Sequence, residues 1–221
     1  MSTRTHATTP HPQPSGPRKR LTAQERRDAI LGAALEVFAR RGYNGSSIDE
    51  IAQTAGISKA LIYEHFPSKR DLHASLLESH VQEIFERLAA AAATSDPGEV
   101  RLRAGVDAFL GFVETRRDAF RMLFRDAVEP EVAEIVASLQ RQTAAAVAGM
   151  IATEPRKRRG DPARDRIAIE MLAHQLTGAV QSLALWWGDH PEVRREGLVE
   201  SVMNFAWVGL ERLRAGDRFQ T

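Results

Sequence analysis

The chain has 221 residues and no cysteine. That excludes a disulfide framework and any thiolate metal site, and it fits a reducing compartment. No apolar run approaches the ~20 residues needed to span a bilayer, and no apolar h-region follows the start. Neither a membrane span nor a signal peptide is expected, and the expected location is cytoplasmic. The usual signatures of catalysis are missing too: there is no G-x-S-x-G, no Walker loop, no H-E-x-x-H and no G-x-G-x-x-G. His174 has no marked nucleophile or carboxylate pair beside it. Glu170 and His174 are four residues apart, not the three of a Glu-x-x-His metal pair, and they lack a mate elsewhere. His6 and His11 are too far apart, in too loose a segment, to make a metal pair. No catalytic residue, metal or cofactor is therefore expected. A helical enzyme stays as a rival reading, which turnover lost on mutating His174 would favour. A large surplus of one charge is also absent, the net charge being +1.

What is present is enough apolar material for a core, 43% of the residues. The small net charge also hides an asymmetry. Residues 1–72 carry eleven Lys and Arg against seven Asp and Glu, so the front is +4 and the remainder −3. A basic head on a mildly acidic body suits a polyanion at one end only.

The most informative stretch is Ser47 to Lys69. Ser47 followed by Glu50 reads as a capping box, and Ile48, Ile51, Ala52 and Ala55 recur at helical spacing. Gly56 sits where a left-handed C′ residue should stop that helix. Ser58 offers a second N-cap. Leu61, Ile62 and Phe66 give the next helix its apolar side, and Pro67 ends it. Helix, glycine-containing turn and helix is the helix-turn-helix pattern. Its second helix would lie in the DNA major groove with Ser58 and Lys59 toward base edges or phosphate. Ala60 is small enough for close approach to a thymine methyl. Tyr63, His65 and Lys69 are further donors, Tyr63 and Lys69 being suited to phosphate. Glu64 should point away. An ordinary surface helix bearing a tyrosine explains this second helix nearly as well.

The flanking residues separate the two readings. From Ala33 to Leu72 the chain reads AALEVFARRGYNGSSIDEIAQTAGISKALIYEHFPSKRDL. This resembles the DNA-binding domain of the TetR (tetracycline repressor) family. The Gly42-Tyr43 pair, Ser47, the I-A-x-x-A-G-I-S turn and the Tyr63, Phe66, Lys69 ending occur in the family's order. The resemblance runs from Leu21 to Leu72, about a quarter of the chain. The resemblance implies a helical C-terminal domain, a homodimer and a ligand. Glu64 departs from the uncharged or basic residue common there, which leaves the local base preference open.

Around this stretch the expected fold is all-α, with about nine helices: a three-helix helix-turn-helix domain and a C-terminal helical bundle. Residues 1–20 read as a disordered tail ending in Arg18, Lys19 and Arg20. That run is either a solvated charge cluster or an arm laid along phosphate or the minor groove. Residues 21–67 form the DNA-binding domain and 68–221 the ligand-binding and dimerisation domain. The first helix runs from Thr22 to Arg41, with a Thr22–Glu25 capping box and Ile30, Ala34, Val37 and Phe38 as its stripe. A long fourth helix, Ser68 to about Thr94, joins the two ends as one rod. Further helices are expected over 99–116, 119–126, 130–152, 165–188 and 191–214. The Arg156–Arg159 run is most simply a solvated loop.

Pockets combine apolar walls with a few placed polar groups. His80, Phe109, Phe112, Arg116, Phe120, Phe124, His174, Gln175 and Trp186 are the pocket candidates, although any one of the aromatics is more simply core. The last two helices carry wide apolar faces. Leu176, Val180, Leu183, Trp187, Val202, Met203, Ala206 and Leu210 are therefore candidates for a two-fold contact, against the plainer alternative of a monomer core. The expected function is a homodimeric repressor released from a palindromic double-stranded DNA operator by a small apolar or amphipathic effector, with no membrane partner. The alternative is a DNA-binding regulator without an effector, controlled by abundance or a protein partner.

Overall fold

The computed structural model describes residues 22–94, 96–124, 130–153 and 162–215, with backbone alone for 130–132, 153 and 208–215. These residues form nine helices and no strand: α1 Ala23–Gly45, α2 Ile48–Ala55, α3 Lys59–His65, α4 Lys69–Ala92, α5 Gly98–Thr115, α6 Arg117–Phe124, α7 Pro130–Thr153, α8 Pro162–Trp187 and α9 Arg195–Ala215. No helix among the described residues is long and apolar enough to cross a membrane.

Local chemistry sets most of these boundaries. Thr22 and Glu25 close a reciprocal capping box at the start of α1. Gly42, at φ 69°, bends α1 instead of ending it, and the helix resumes as far as Gly45. Positive φ is costly for any residue with a Cβ, so this corner needs glycine. At Ser47 only half of the expected box is made: its Oγ accepts the Glu50 N–H, while the Glu50 carboxylate pairs with Arg41 at 2.9 Å. α6 begins at Arg117, two residues before the expected 119, with Asp118 in its first turn. α8 starts three residues before Asp165, at Pro162, because proline suits the first helical position. α9 starts four residues after Pro191. In between, the Trp187 indole N–H donates to the Val193 carbonyl at 2.7 Å and closes the turn.

In the head, α1 packs on α2, and α2 on α3. Ile30, Ala34, Val37, Phe38, Ile48, Ile51, Ile62 and Phe66 are buried together, as their spacing implies. Burying each large side chain contributes roughly 1.5–3 kcal/mol. α4 carries the same core from the head through Leu72 into the body through Leu76, Leu77 and Ile84, and it packs on α5 and α7. α6 lies against α1, giving the body a second hold on the head. α7 packs on α8, and α9 lies on α5. The α5–α9 seam carries ion pairs: Arg195 reaches Asp107 at 3.0 Å and Glu114 at 2.9 Å, and Arg103 reaches Glu200 at 2.6 Å. Gly111 leaves room for Arg195, whose guanidinium would sit 3.2 Å from an added Cβ.

Candidate DNA interface and ligand cavity

The turn between α2 and α3 follows from Gly56, at φ 66° and ψ 33°. Its N–H donates to Gln53 O at 3.2 Å, and the next N–H, from Ile57, donates to Ala52 O at 3.0 Å. This is a Schellman closure, which satisfies the last carbonyls of α2 and turns the chain into α3. Ser58 then caps α3, its Oγ accepting the Leu61 N–H at 3.2 Å. Ser47 and Ser58 spend a lone pair on these caps, which leaves each hydroxyl its O–H to donate.

The exposed side of α3 carries Lys59, Ala60, Tyr63 and Glu64, with His65 half-buried against Phe66. Two cations expected to be free are engaged. Lys59 Nζ donates to Asp49 Oδ2 at 2.8 Å, and this hydrogen bond holds its ammonium above the ordinary lysine range. Lys69 Nζ donates to the carbonyls of Tyr43 at 2.8 Å and Ser46 at 3.0 Å, and it lies over the Tyr43 ring at 4.3 Å. Two of its three donors thus tie the start of α4 to the end of α1. A phosphate would have only the third, so Lys69 has a structural role that its position in the sequence did not announce. Beside it, the His73 ring packs against Phe38 and Tyr43 at 4.9 and 4.7 Å between centroids. Burial, aided by the Lys69 charge, lowers the His73 imidazole to about 4. Arg18, Lys19 and Arg20, and the Arg156–Arg159 run, lie outside the described residues.

In the body, α4, α5, α6, α7 and α8 line a partly open cavity of about 210 Å³. Its walls include Ile84, Phe85 and Leu88 of α4, Leu102 and Val106 of α5, Val147 and Met150 of α7, and Leu176 and Val180 of α8. Polar groups are few: Arg101, Thr143, Thr177 and a Gln140–Gln181 pair whose side chains hydrogen-bond across α7 and α8.

These two features, a helix-turn-helix head and a helical body around an apolar cavity, match known proteins over most of the chain. Residues 30–76 match the family described as "Bacterial regulatory proteins, tetR family". Residues 98–209 match "Tetracyclin repressor-like, C-terminal domain". The chain belongs to the TetR family. It is therefore a DNA-binding transcriptional regulator and not an enzyme. The HTH-type transcriptional activator FasR of Mycolicibacterium smegmatis is 34% identical over 197 residues, covering 88% of this chain and 87% of the relative. A TetR-like transcriptional regulator from Rhodococcus sp. RHA1 has 28% identity and a TM-score of 0.73, covering 87% of this chain and 99% of that one. FadR from Bacillus subtilis, solved in complex with stearoyl-CoA, shares the fold at a TM-score of 0.62 and 19% identity, covering 86% and 99%.

Within this TetR-family body, the expected pocket residues separate. Phe109 and Phe124 line the cavity. Phe112 and Phe120 are buried core instead, and His80 is buried edge-on to Phe112 and held below the ordinary imidazole range by burial. Arg116 is exposed and bonds Glu83 at 3.2 Å. Burial pushes the Glu83 carboxyl up, but hydrogen bonds from Arg87 and Arg116 outweigh it and leave it below its ordinary range. His174, Gln175 and Trp186 are on the outer face of α8, and Trp186 stacks on His190 at 3.9 Å. Helical geometry explains the split, since Leu176, Thr177, Val180 and Gln181 occupy the inner face and leave 174, 175 and 186 outside.

The expected contact residues need the converse correction. Leu176, Val180, Trp187, Val202, Met203 and Ala206 are at most 9% exposed within one chain, so they have little surface left to bury against another. Leu183 is half-buried, and the side chain of Leu210 lies outside the described residues. The apolar groups left open are Ile167, Met171 and Trp186 of α8, and Phe205 of α9, which is 71% exposed. Met171 to Trp187 contains no Asp, Glu, Lys or Arg, and Gly178, Ala179 and Ser182 keep the same face low. A signal was present in the sequence: the uncharged stretch is longer than a single buried stripe requires.

Proposed function

We propose that this regulator is a homodimer that grips a palindromic DNA site and is released from it by an apolar or amphipathic small molecule. The observation that carries the reading is the position of α4. Its first turn is tied to the head by Lys69 and His73, and Ile84, Phe85, Leu88, Ala89 and Ala92 further along form a wall of the cavity. A ligand entering the cavity bears on the same rod that sets the pose of α3. The cavity is smaller than the roughly 300–1,000 Å³ of ordinary ligand pockets, so a larger occupant extends through its open side or parts its walls. An effector acts only through unequal affinity for the two arrangements. The scarcity of polar lining groups favours a hydrocarbon body, and the stearoyl-CoA complex of FadR supports a long acyl chain. The open face of α8, together with Phe205 of α9, supplies the two-fold contact. It sets two recognition helices about 34–36 Å apart, one turn of DNA.

Release from DNA is the same physical step whether the bound protein blocks a promoter or recruits polymerase. The repressor reading and a relative named as an activator are therefore compatible with one mechanism, because the operator's position sets the sign. The test is selection of bound fragments from random duplex, followed by titration of the recovered site with and without stearoyl-CoA. Enrichment of an inverted repeat, bound by a dimer and released by the acyl compound, is expected. A monomer without preference for any inverted repeat overturns the proposal. Unchanged operator binding at saturating stearoyl-CoA and across other acyl and amphipathic compounds favours the effector-free alternative.

A further inference from the structure

Seven acids lie among residues 22–71 of the head, and six of them are engaged within it. Glu25 caps α1 with Thr22, Asp28 accepts from Gln24 and Asp71 accepts from Ser68. Glu36 pairs with Arg40, Asp49 with Lys59 and Glu50 with Arg41. The seventh, Glu64, is exposed and has no such partner among the described residues. Its direction follows from the spacing along α3. Ile62 is 0% exposed and faces the core. At about 100° per residue, Lys59 stands roughly 60° around the helix from Ile62 and Tyr63 roughly 100°, whereas Ala60 and Glu64 both stand about 160° away. Ala60 and Glu64 therefore form the outermost ridge of α3, one above the other at a spacing of four. Contrary to the expectation from its charge, Glu64 does not turn aside but projects outward.

We propose that Glu64 is a specificity-determining residue that accepts a hydrogen bond from the N4 amino group of cytosine in the major groove, so that each half-site needs a C·G pair beneath it. This rests on α3 entering the groove, as proposed above. A carboxylate is acceptor-only, and most of the groove floor is acceptor too: guanine shows N7 and O6, thymine O4, and adenine N7 beside its N6 amino group. Cytosine alone shows a donor and no acceptor. Over cytosine the carboxylate exchanges a water for the N4 donor. Over guanine or thymine it loses water against groups that cannot donate, and over adenine N7 opposes it beside the amino group. A stranded acceptor costs more than a made bond returns. Ala60, one turn earlier on the same ridge, has no bulk to hold the helix off the floor. Glu64 thus rejects wrong sites as well as contacting the right one, while its repulsion from phosphate weakens binding to every sequence alike.

The test compares full-length wild type, E64A, E64Q, K59A and Y63A, after thermal melts establish that each folds. Bound fragments are selected from random duplex. Affinities are then measured for the recovered site and for versions with each base pair of one half-site replaced. Scoring by half-site keeps the outcome independent of dimerisation. Wild type should recover a C·G pair at one position, and replacing that pair should weaken binding about tenfold, the scale of one base contact. E64A should bind the original and replaced sites equally well, while keeping its preferences at the other positions. E64Q should admit adenine at that position, because a glutamine amide meets adenine N6 and N7 together. Tightening of all sites by the same factor in E64A, with every base preference retained, overturns the proposal, because Glu64 would then be a repelling charge alone. A recovered site at which E64A relaxes a preference for a base pair other than C·G overturns it as well. If K59A and Y63A also leave every DNA unaffected, it is the placing of α3 in the groove that fails, and this assignment with it.

Discussion

Replacing Lys69 by methionine asks whether this residue serves the fold or the DNA. The substitution keeps most of the aliphatic stem and removes the ammonium that bonds Tyr43 O at 2.8 Å and Ser46 O at 3.0 Å. Hydrogen bonds from a charged donor contribute about 1.5–3 kcal/mol each. The ammonium over the Tyr43 ring adds roughly 0.5–1 kcal/mol. The site is only partly buried, so water re-solvates the released carbonyls and recovers part of this. A net loss of about 2 kcal/mol is expected. In urea unfolding it should appear as a lower midpoint at unchanged m-value, and in a thermal melt as a fall of roughly 4–8 °C for a protein of this size. The salt dependence of binding to random duplex is read on the same preparation. If the third donor also meets a phosphate, the slope falls by about 0.9. If the residue serves the fold alone, the slope is unchanged while stability drops. A stability change below about 0.5 kcal/mol, the range of ordinary surface substitutions, would refute the structural role and return Lys69 to the list of simple phosphate contacts.

Three further outcomes are expected. Gly56→Ala, at φ 66°, should cost about 1–2 kcal/mol through the left-handed penalty alone, measured by chemical unfolding, with Gly45→Ala as the control at a glycine of negative φ. His73 has a folded pKa of about 4 against an ordinary 6.5, so the unfolded chain binds the extra proton. Its contribution is therefore complete above pH 6.5 and lost as pH falls toward 4, by about 3 kcal/mol at most. His73→Leu should flatten the rise of unfolding free energy between pH 4.5 and 6.5, and a curve parallel to wild type would count against the buried neutral ring. Phe205→Glu puts a charge on the most exposed large apolar side chain among the described residues. Sedimentation should show a monomer with its helical content intact, whereas a stable dimer would place the contact elsewhere.

Much of the head was legible because its determinants are local. A glycine that must take positive φ, a serine that must cap and an apolar stripe at helical spacing act within a few residues. Gly42, Gly56, Ser47, Ser58, Ile51 and Ile62 accordingly stand where their types imply. Legibility fell where an element's partner lies far along the chain. Phe112 and Phe109 are both aromatic and three residues apart on α5, yet one is sealed in core and the other faces the cavity. Only the crossing of α4, α7 and α8 distinguishes them. Leu176 and Val180 looked like contact residues for the same reason, since periodicity names an apolar face without saying which neighbour covers it.

The sequence by itself determined the helical class, the helix-turn-helix unit, the long connecting rod and the absence of membrane-spanning runs, because each follows from short-range spacing, capping and composition. Only the tertiary structure decided that Lys69 binds two carbonyls, that Asp49 holds Lys59, that the cavity lies against α4, and that the outer face of α8 stays open. Those outcomes depend on which helices meet and at what angle, and that is settled by packing between residues tens of positions apart.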